Sequence, residues 1–472
     1  MSQDDARNHS RAKIFLLCSR RPIVAEFILL AEAIGSEEDF ETVLVVPDGL
    51  AELLPETLPS RCSVIYWGRR SWKMSRWGSL AYSAFGALRL VSGLVRKASF
   101  SNVGDFIDTW EAIARGRWMA HRVLHIGQGG VAVLTADDRD IRFDQGVLRA
   151  ARDLGIFTMA VSFGKSDPDA DALRRDIAVH DIDMKPLKRV KAAIVSSYPQ
   201  GLRIAPNGRR LLFFKPGEFF ALRAHDALFP LPWTYGGGRA DTVTVLDGAG
   251  ARLLSGMGVP AEKILVTGQC SHDVLWSSME QRSRIRKFLD KRYRLDPKRP
   301  LVILAMPVLG EHGMSSAEDQ QREAKFLLQT LGEMQANVLV SLHPRQDANC
   351  YEAMIRDCAL ALAVEPLRDV LAAADLFVAY STTINWAQLL SVPSVALEYY
   401  SLGYTLFQGQ PGVVVVSRRV DLAPVCASVL NSADVREKLV EQMKALESRK
   451  TFDGEVRKRL VGIIRQRYGG TA

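Results

Sequence analysis

Short apolar runs alternate with amphipathic stretches along most of the chain. Lys13–Cys18 (KIFLLC) is an apolar run broken by the elbow Ser19-Arg20-Arg21-Pro22. Ile23–Ile34 then repeats apolar residues at helical spacing and stops near Gly35. Thr42–Val46 (TVLVV) is β-branched and ends at Pro47-Asp48-Gly49; Ser63–Tyr66 has the same character. Strand, helix, strand at this spacing is a βαβ opening. The rhythm returns with VAVLT ending at Thr135, a helix over about Gln145–Leu154 capped by Asp144, and a strand over Ile156–Phe163. Such alternation predicts a parallel sheet with right-handed crossovers.

The stretch 165–239 is less regular and rich in proline. Its Gly236-Gly237-Gly238 does not lead a strand into a helix at dinucleotide-binding spacing, so it reads as a loop. Strands resume at Thr242–Leu246 and Ile264–Thr267, and a charged helix follows over Ser277–Tyr293. Asp296-Pro297-Lys298-Arg299-Pro300 is the clearest linker. Beyond it, strands over Leu301–Ala305, Asn337–Leu342, Asp375–Ala379, Ser394–Leu397 and Gly412–Val416 alternate with helices, a second doubly wound pattern. The expected organisation is an N-terminal domain over 1–285, a linker over 286–300 and a second domain over 301–431. Two helices over 432–472 would pack back on the first domain.

Composition narrows the class. With 472 residues, 47% hydrophobic and 24% charged, the chain is neither a disordered tail nor a disulfide-stapled miniprotein. Lys and Arg number 61 against 53 acids, a net +8 that suits an anionic partner. No zinc-finger, RNP-like or basic-zipper pattern points to nucleic acid. The six cysteines form no CxxC pair and read as buried thiols in a reducing compartment. The polar start, Met1–Lys13, is not a signal peptide pattern. The longest apolar stretch, Gly78–Val95, is interrupted by Arg89. A cytoplasmic location is expected.

Two strand ends carry the most informative chemistry. In VLVSLHPRQD (Val338–Asp347), His343-Pro344 follows a strand, where open α/β sheets bind ligands. An imidazole there can donate to a diphosphate, Pro344 stiffens the elbow and Arg345 adds charge. In DLFVAYSTTINWA (Asp375–Ala387), Ser381, Thr382 and Thr383 stand between a strand and a helix, as a phosphate cradle or as ordinary caps.

These blocks, with GVPAEKILVTGQCSHDVL (Gly258–Leu275) and STTINWAQLLSVPSVALEYY, resemble GT-B-type sugar-nucleotide enzymes. Similar blocks occur in UDP-N-acetylglucosamine 2-epimerases and in bacterial capsule and teichoic-acid transferases. The resemblance spans roughly the last half of the chain; in the first half, LGIFTMAVSFG (Leu154–Gly164) is similar to a strand ending in an interdomain glycine. It implies an α/β, GT-B-like fold of two Rossmann-like doubly wound domains facing a cleft. The C-terminal domain would hold a nucleotide-sugar donor through His343, Pro344, Arg345, Ser381–Thr383 and Glu398, with Gly268 letting backbone approach. The N-terminal domain would take a glycan or lipid-linked acceptor. Where epimerases carry an acidic pair after the Ser/Thr segment, this chain has Asn385 and Trp386, so the reading favours transfer. The alternatives are an epimerase or hydrolase, and a catalytically silent binding subunit.

Ala136–Asp144 (ADDRDIRFD) offers carboxylates at another strand end. Asp138 is the preferred general base, with Asp137 next and Glu311 or His312 (in MPVLGEHGMSS) able to serve instead. The DxD spacing of Asp138 and Asp140 can ligate Mg²⁺ or Mn²⁺, a less favoured option because the diphosphate site needs no metal or other cofactor. A solvated acidic loop explains the same residues. Finally, within Trp67–Lys97, Trp67, Trp72 and Trp77 interleave with Arg69, Arg70, Lys73 and Arg76 before an apolar helix. That pattern suits an anionic membrane surface, and also a buried helix beside a basic loop.

Overall fold

The computed structural model describes residues 11–68, 76–97, 101–164, 168–310, 315–343, 345–400 and 407–469. The chain divides into two units: Met1–Cys270 with Arg457–Ala472, and Ser271–Val456.

The first unit is built on β1 (Ala12–Leu17), β2 (Phe40–Pro47), β3 (Cys62–Trp67), β4 (Gly130–Thr135) and β5 (Phe157–Ala160). A separate hairpin, β6 (Leu202–Ile204) with β7 (Arg210–Leu212), precedes β8 (Thr242–Val245) and β9 (Ile264–Val266). The seven-stranded sheet runs β3-β2-β1-β4-β5-β8-β9, with every ladder parallel. Ile14, Phe15 and Leu16 of β1 are wholly buried, which is why this central strand reads as an unbroken apolar run. Strand order reverses between β1 and β4, the position where such sheets bind ligands.

Helix α1 (Arg21–Gly35) follows β1, with Pro22 pre-set for its first turn and Phe27, Leu30 and Ile34 buried. Between β3 and β4 lie α2 (Arg76–Lys97) and α3 (Ser101–Arg122); α4 (Phe143–Asp153) follows β4. The helices α3 and α4 cross on two glycines. A Cβ on Gly116 would stand 2.4 Å from the Phe143 carbonyl oxygen, and one on Gly146 2.2 Å from that of Ile113. The expected Asp144 cap is corrected. The cap position is Arg142, and Asp144 lies inside the first turn, buried, accepting the Thr135 hydroxyl at 2.6 Å.

The second unit holds β10 (Leu301–Ala305), β11 (Asn337–Ser341), β12 (Ala361–Leu362), β13 (Leu376–Ala379), β14 (Ser394–Leu397) and β15 (Val413–Val416). Their order, β12-β11-β10-β13-β14-β15, is the dinucleotide-fold order, again parallel throughout and reversing between its first and fourth strands. Successive β10 residues serve opposite faces. Val302 and Leu304 pack with Leu327, Leu328 and Leu331, while Leu301 and Ile303 pack with Leu289, Leu371 and Leu390.

The division falls at Cys270, ahead of the proline-flanked segment 296–300. Leu275 and Leu289, from the helices Cys270–Glu280 and Arg282–Tyr293, share a core with Leu301 and Ile303, so those helices belong with the second sheet. In the first unit, the last helix sets Tyr468 edge-on to Phe40 at 5.8 Å, pairs Arg465 with Glu37, and donates from Arg459 to the Thr267 carbonyl at 2.8 Å. The cysteines are less uniformly buried than expected: Cys18, Cys270 and Cys426 are buried, Cys62 and Cys358 partly so, and Cys350 exposed. Among the described residues no helix is long and apolar enough to cross a membrane.

Candidate functional site

In the second unit, β11 and β13 flank β10 and all three end on one edge. His343 follows β11 and Ser381–Thr383 follow β13, so their strand ends lie about 10 Å apart across β10. Two buried glutamines tie the loops after β10 and β11 together. Gln346 accepts the His343 N–H at 2.9 Å and donates to the Pro307 carbonyl at 3.0 Å and the Tyr351 hydroxyl at 3.2 Å. Gln320 donates to the same Pro307 carbonyl at 2.7 Å and accepts the amides of Leu309 and Gly310. The exposed Arg345 donates its backbone N–H to His343 Nδ1 at 3.1 Å. A ring that accepts at Nδ1 carries its proton on Nε2, the donor form a phosphate oxygen needs.

The Ser381 and Thr383 hydroxyls share a hydrogen bond, and the Thr383 N–H donates to Ser381 Oγ at 3.3 Å. Thr382 is exposed. The helix that follows, Ile384–Leu389, has six residues, so these hydroxyls sit on a loop ahead of a short helix. Glu398 follows β14 and accepts the Phe407 amide at 2.6 Å. Beside it, Tyr399 and Tyr400 donate to Glu323 at 2.7 and 3.0 Å, and Arg419 pairs with the same carboxylate. Glu311, His312 and Pro344 lie outside the described residues.

In the first unit the carboxylates of the loop after β4 form ion pairs with Arg20, Arg139 and Lys263. Arg139 donates from Nε and Nη2 to Asp137, both at 2.9 Å, and its backbone N–H adds a third bond at 3.0 Å. Burial opposes ionisation of Asp137, but Arg139 and Arg20 hold it below the usual carboxylate range. Asp138 is wholly buried, 3.6 Å from the Lys263 ammonium, and accepts the Ala240 N–H at 3.3 Å. Burial raises its pKa against the pull of Lys263. The glycine run closes over it: a Cβ on Gly238 would stand 2.1 Å from the Asp138 carbonyl oxygen, and Lys263 donates to the carbonyls of Gly236 and Gly238. Both carboxylates are buried and paired, Asp137 with Arg139 and Asp138 with Lys263, whereas a general base needs a face open to its substrate.

Asp140 pairs with Arg20 at 3.1 Å, away from Asp138's partner, so the DxD spacing does not become a shared ligand pair. Among the described residues no cluster of three or more His, Cys, Asp or Glu could hold a metal ion. Gly268 follows β9 in the first unit with φ of 88°, a backbone state that favours glycine. Trp67 faces inward: it stacks on Phe143 at 4.3 Å with Arg115 over its ring at 4.8 Å, which corrects its placement at a lipid boundary. Trp72, Arg69, Arg70 and Lys73 lie outside the described residues.

Asp144 is pushed up to about 7, by burial first and by the Asp140 charge second. The folded chain therefore keeps a proton that the unfolded chain releases near the ordinary carboxyl value of about 4. Between those values the folded state binds more protons, so this group's contribution makes stability fall as pH rises through the window. Asp144→Asn retains an acceptor for Thr135. The variant is expected to flatten that slope and gain stability near neutrality. Urea unfolding at about pH 5 and about pH 8 checks this, and an unchanged slope would place the titration elsewhere.

No protein-family model and no curated protein matches this chain. Solved structures do. The UDP-GlcNAc 2-epimerase from Neisseria meningitidis bound to UDP-GlcNAc is similar over 96% of this chain and 100% of its own, at 11% identity and a TM-score of 0.52. The wall teichoic acid polymerase TagF is similar over 97% of this chain and 88% of its own, at 11% identity and a TM-score of 0.51. A further UDP-N-acetylglucosamine 2-epimerase covers 97% of both chains at 13% identity and a TM-score of 0.50. With two parallel sheets of dinucleotide-fold order, the chain has a GT-B-like fold.

Proposed function

We propose that this protein is a glycosyltransferase. It moves a sugar, or a polyol phosphate, from a nucleotide-activated donor to a glycan or lipid-linked acceptor in bacterial surface polysaccharide synthesis. The carrying observation is the edge of the second sheet, where the His343 loop and the Ser381–Thr383 loop flank the strand at which order reverses. The donor tautomer of His343 and the positive charge of Arg345 suit a diphosphate. The likeness to an epimerase bound to UDP-GlcNAc supports a nucleotide-sugar ligand.

In this reading an acceptor hydroxyl oxygen bonds to the reacting donor atom as that atom's bond to the nucleotide phosphate oxygen breaks. The bonding pair stays on the phosphate, where His343 Nε2–H and Arg345 stabilise the growing charge. The acceptor proton passes to a base, which we assign to Glu311 or His312, since Asp137 and Asp138 are enclosed in ion pairs. Asn385 and Trp386 follow the Ser/Thr segment where an epimerase would need acids, which favours transfer.

Calorimetric titration with UDP-, CMP- and CDP-linked sugars or polyols is expected to give heat with at least one of them. Heat from none, with folded protein, would remove the donor reading. Incubation with the bound donor alone then separates the chemistries, because an isomerised sugar would show an epimerase.

A further inference from the structure

All the net positive charge of the chain can be traced to one segment. Thr57–Gly104 holds eight Lys and Arg residues and neither Asp nor Glu, while the remaining residues carry 53 bases against 53 acids. The core of this segment is α2, apolar on two faces. One face closes on α3: Phe85 meets Trp118 edge-on at 6.1 Å, Arg89 pairs with Glu111 at 3.2 Å, and Ser92 donates to the Gly104 carbonyl. The opposite face, Ala84, Ala87, Leu90, Val91 and Leu94, is exposed. Leu90 is 73% and Leu94 66% accessible, and Val103 at the start of α3 is 48% accessible. Large aliphatic side chains grouped on one helix face mark a docking surface rather than ordinary scatter.

Charge selects the occupant. The exposed face carries no acid, and at the far end of the helix pair Arg117, Trp118, His121 and Arg122 line an open depression of about 460 Å³. We infer that α2 docks on an anionic lipid bilayer. The helix lies in the plane of the surface, Leu90, Val91 and Leu94 enter the acyl boundary, and the net positive charge of the segment attracts the anionic headgroups. A second copy fits less well, because a two-fold contact through this face would bring two segments of like charge together. An aliphatic ridge also offers nucleic-acid bases nothing to stack on. This inference stands apart from the donor reading, since α2 belongs to the first unit and the donor loops to the second.

Co-sedimentation of the full chain with phosphatidylcholine vesicles and with vesicles containing phosphatidylglycerol tests it. Binding to the anionic vesicles is expected, and it should weaken in about 0.5 M salt. The double variant Leu90→Ser, Leu94→Ser is expected to partition roughly tenfold or more weakly. Its melting temperature should hold, because both side chains are exposed. Absent binding by the parent protein would overturn the inference, as would equal binding by the double variant. So would a lipid-free dimer that the double variant converts to monomer.

Discussion

Replacing His343 by alanine is expected to lower turnover of the nucleotide donor by about 10²–10³-fold, the usual loss for one preorganised donor at a developing charge. The fold should survive, because the Gln346–Pro307–Gln320 hydrogen bonds hold the backbone of this loop independently of the imidazole. The ring's own contribution is its tautomer: the Arg345 amide on Nδ1 puts the proton on Nε2. His343→Gln, which keeps a donor, should recover part of the loss. Steady-state kinetics on both variants, beside their melting curves, decide the matter. A kcat/KM within threefold of the parent's would show that His343 does not meet the reacting phosphate.

Asp137→Ala is expected to cost about 3–5 kcal/mol of unfolding free energy, the range for removing one member of a buried ion pair. Arg139 is 7% exposed, and two of its guanidinium nitrogens point at Asp137. Without that carboxylate the cation keeps, among the described residues, Asp171 at 3.5 Å, the Pro232 carbonyl at 3.2 Å and the Phe213 ring at 5.9 Å. Urea unfolding measures the loss directly. A catalytic carboxylate would behave in the opposite way, leaving stability untouched and abolishing turnover. A stable but inactive variant would therefore return Asp137 to the list of bases.

Both predictions rest on features of unequal visibility in the sequence. The strand ends at His343 and Ser381 were legible because a buried parallel strand is a short apolar run and its exit is marked by Pro, Ser and Thr chemistry. The glutamines that hold the His343 loop were not. Gln346 reaches Pro307 across 39 residues, and nothing local to either position announces the bond. Helix α3 escaped notice for a related reason. Gly104, Gly116 and the buried Glu111 and Arg115 blur its apolar face, and they make sense only once α2 and α4 pack against it. The acidic loop after β4 is visible as chemistry, but its pairing is not, since its partners Lys263 and Arg20 are distant in the chain.

The alternation of strands and helices, the parallel sheets it implies and the concentration of basic charge around α2 all follow from sequence alone. Each is a matter of neighbouring residues and simple counting. Tertiary structure alone decided which ionisable groups are already paired. Asp138 meets Lys263 only because β4 and β9 belong to one sheet and the glycine loop closes between them, and it is this enclosure that separates a structural carboxylate from a reactive one.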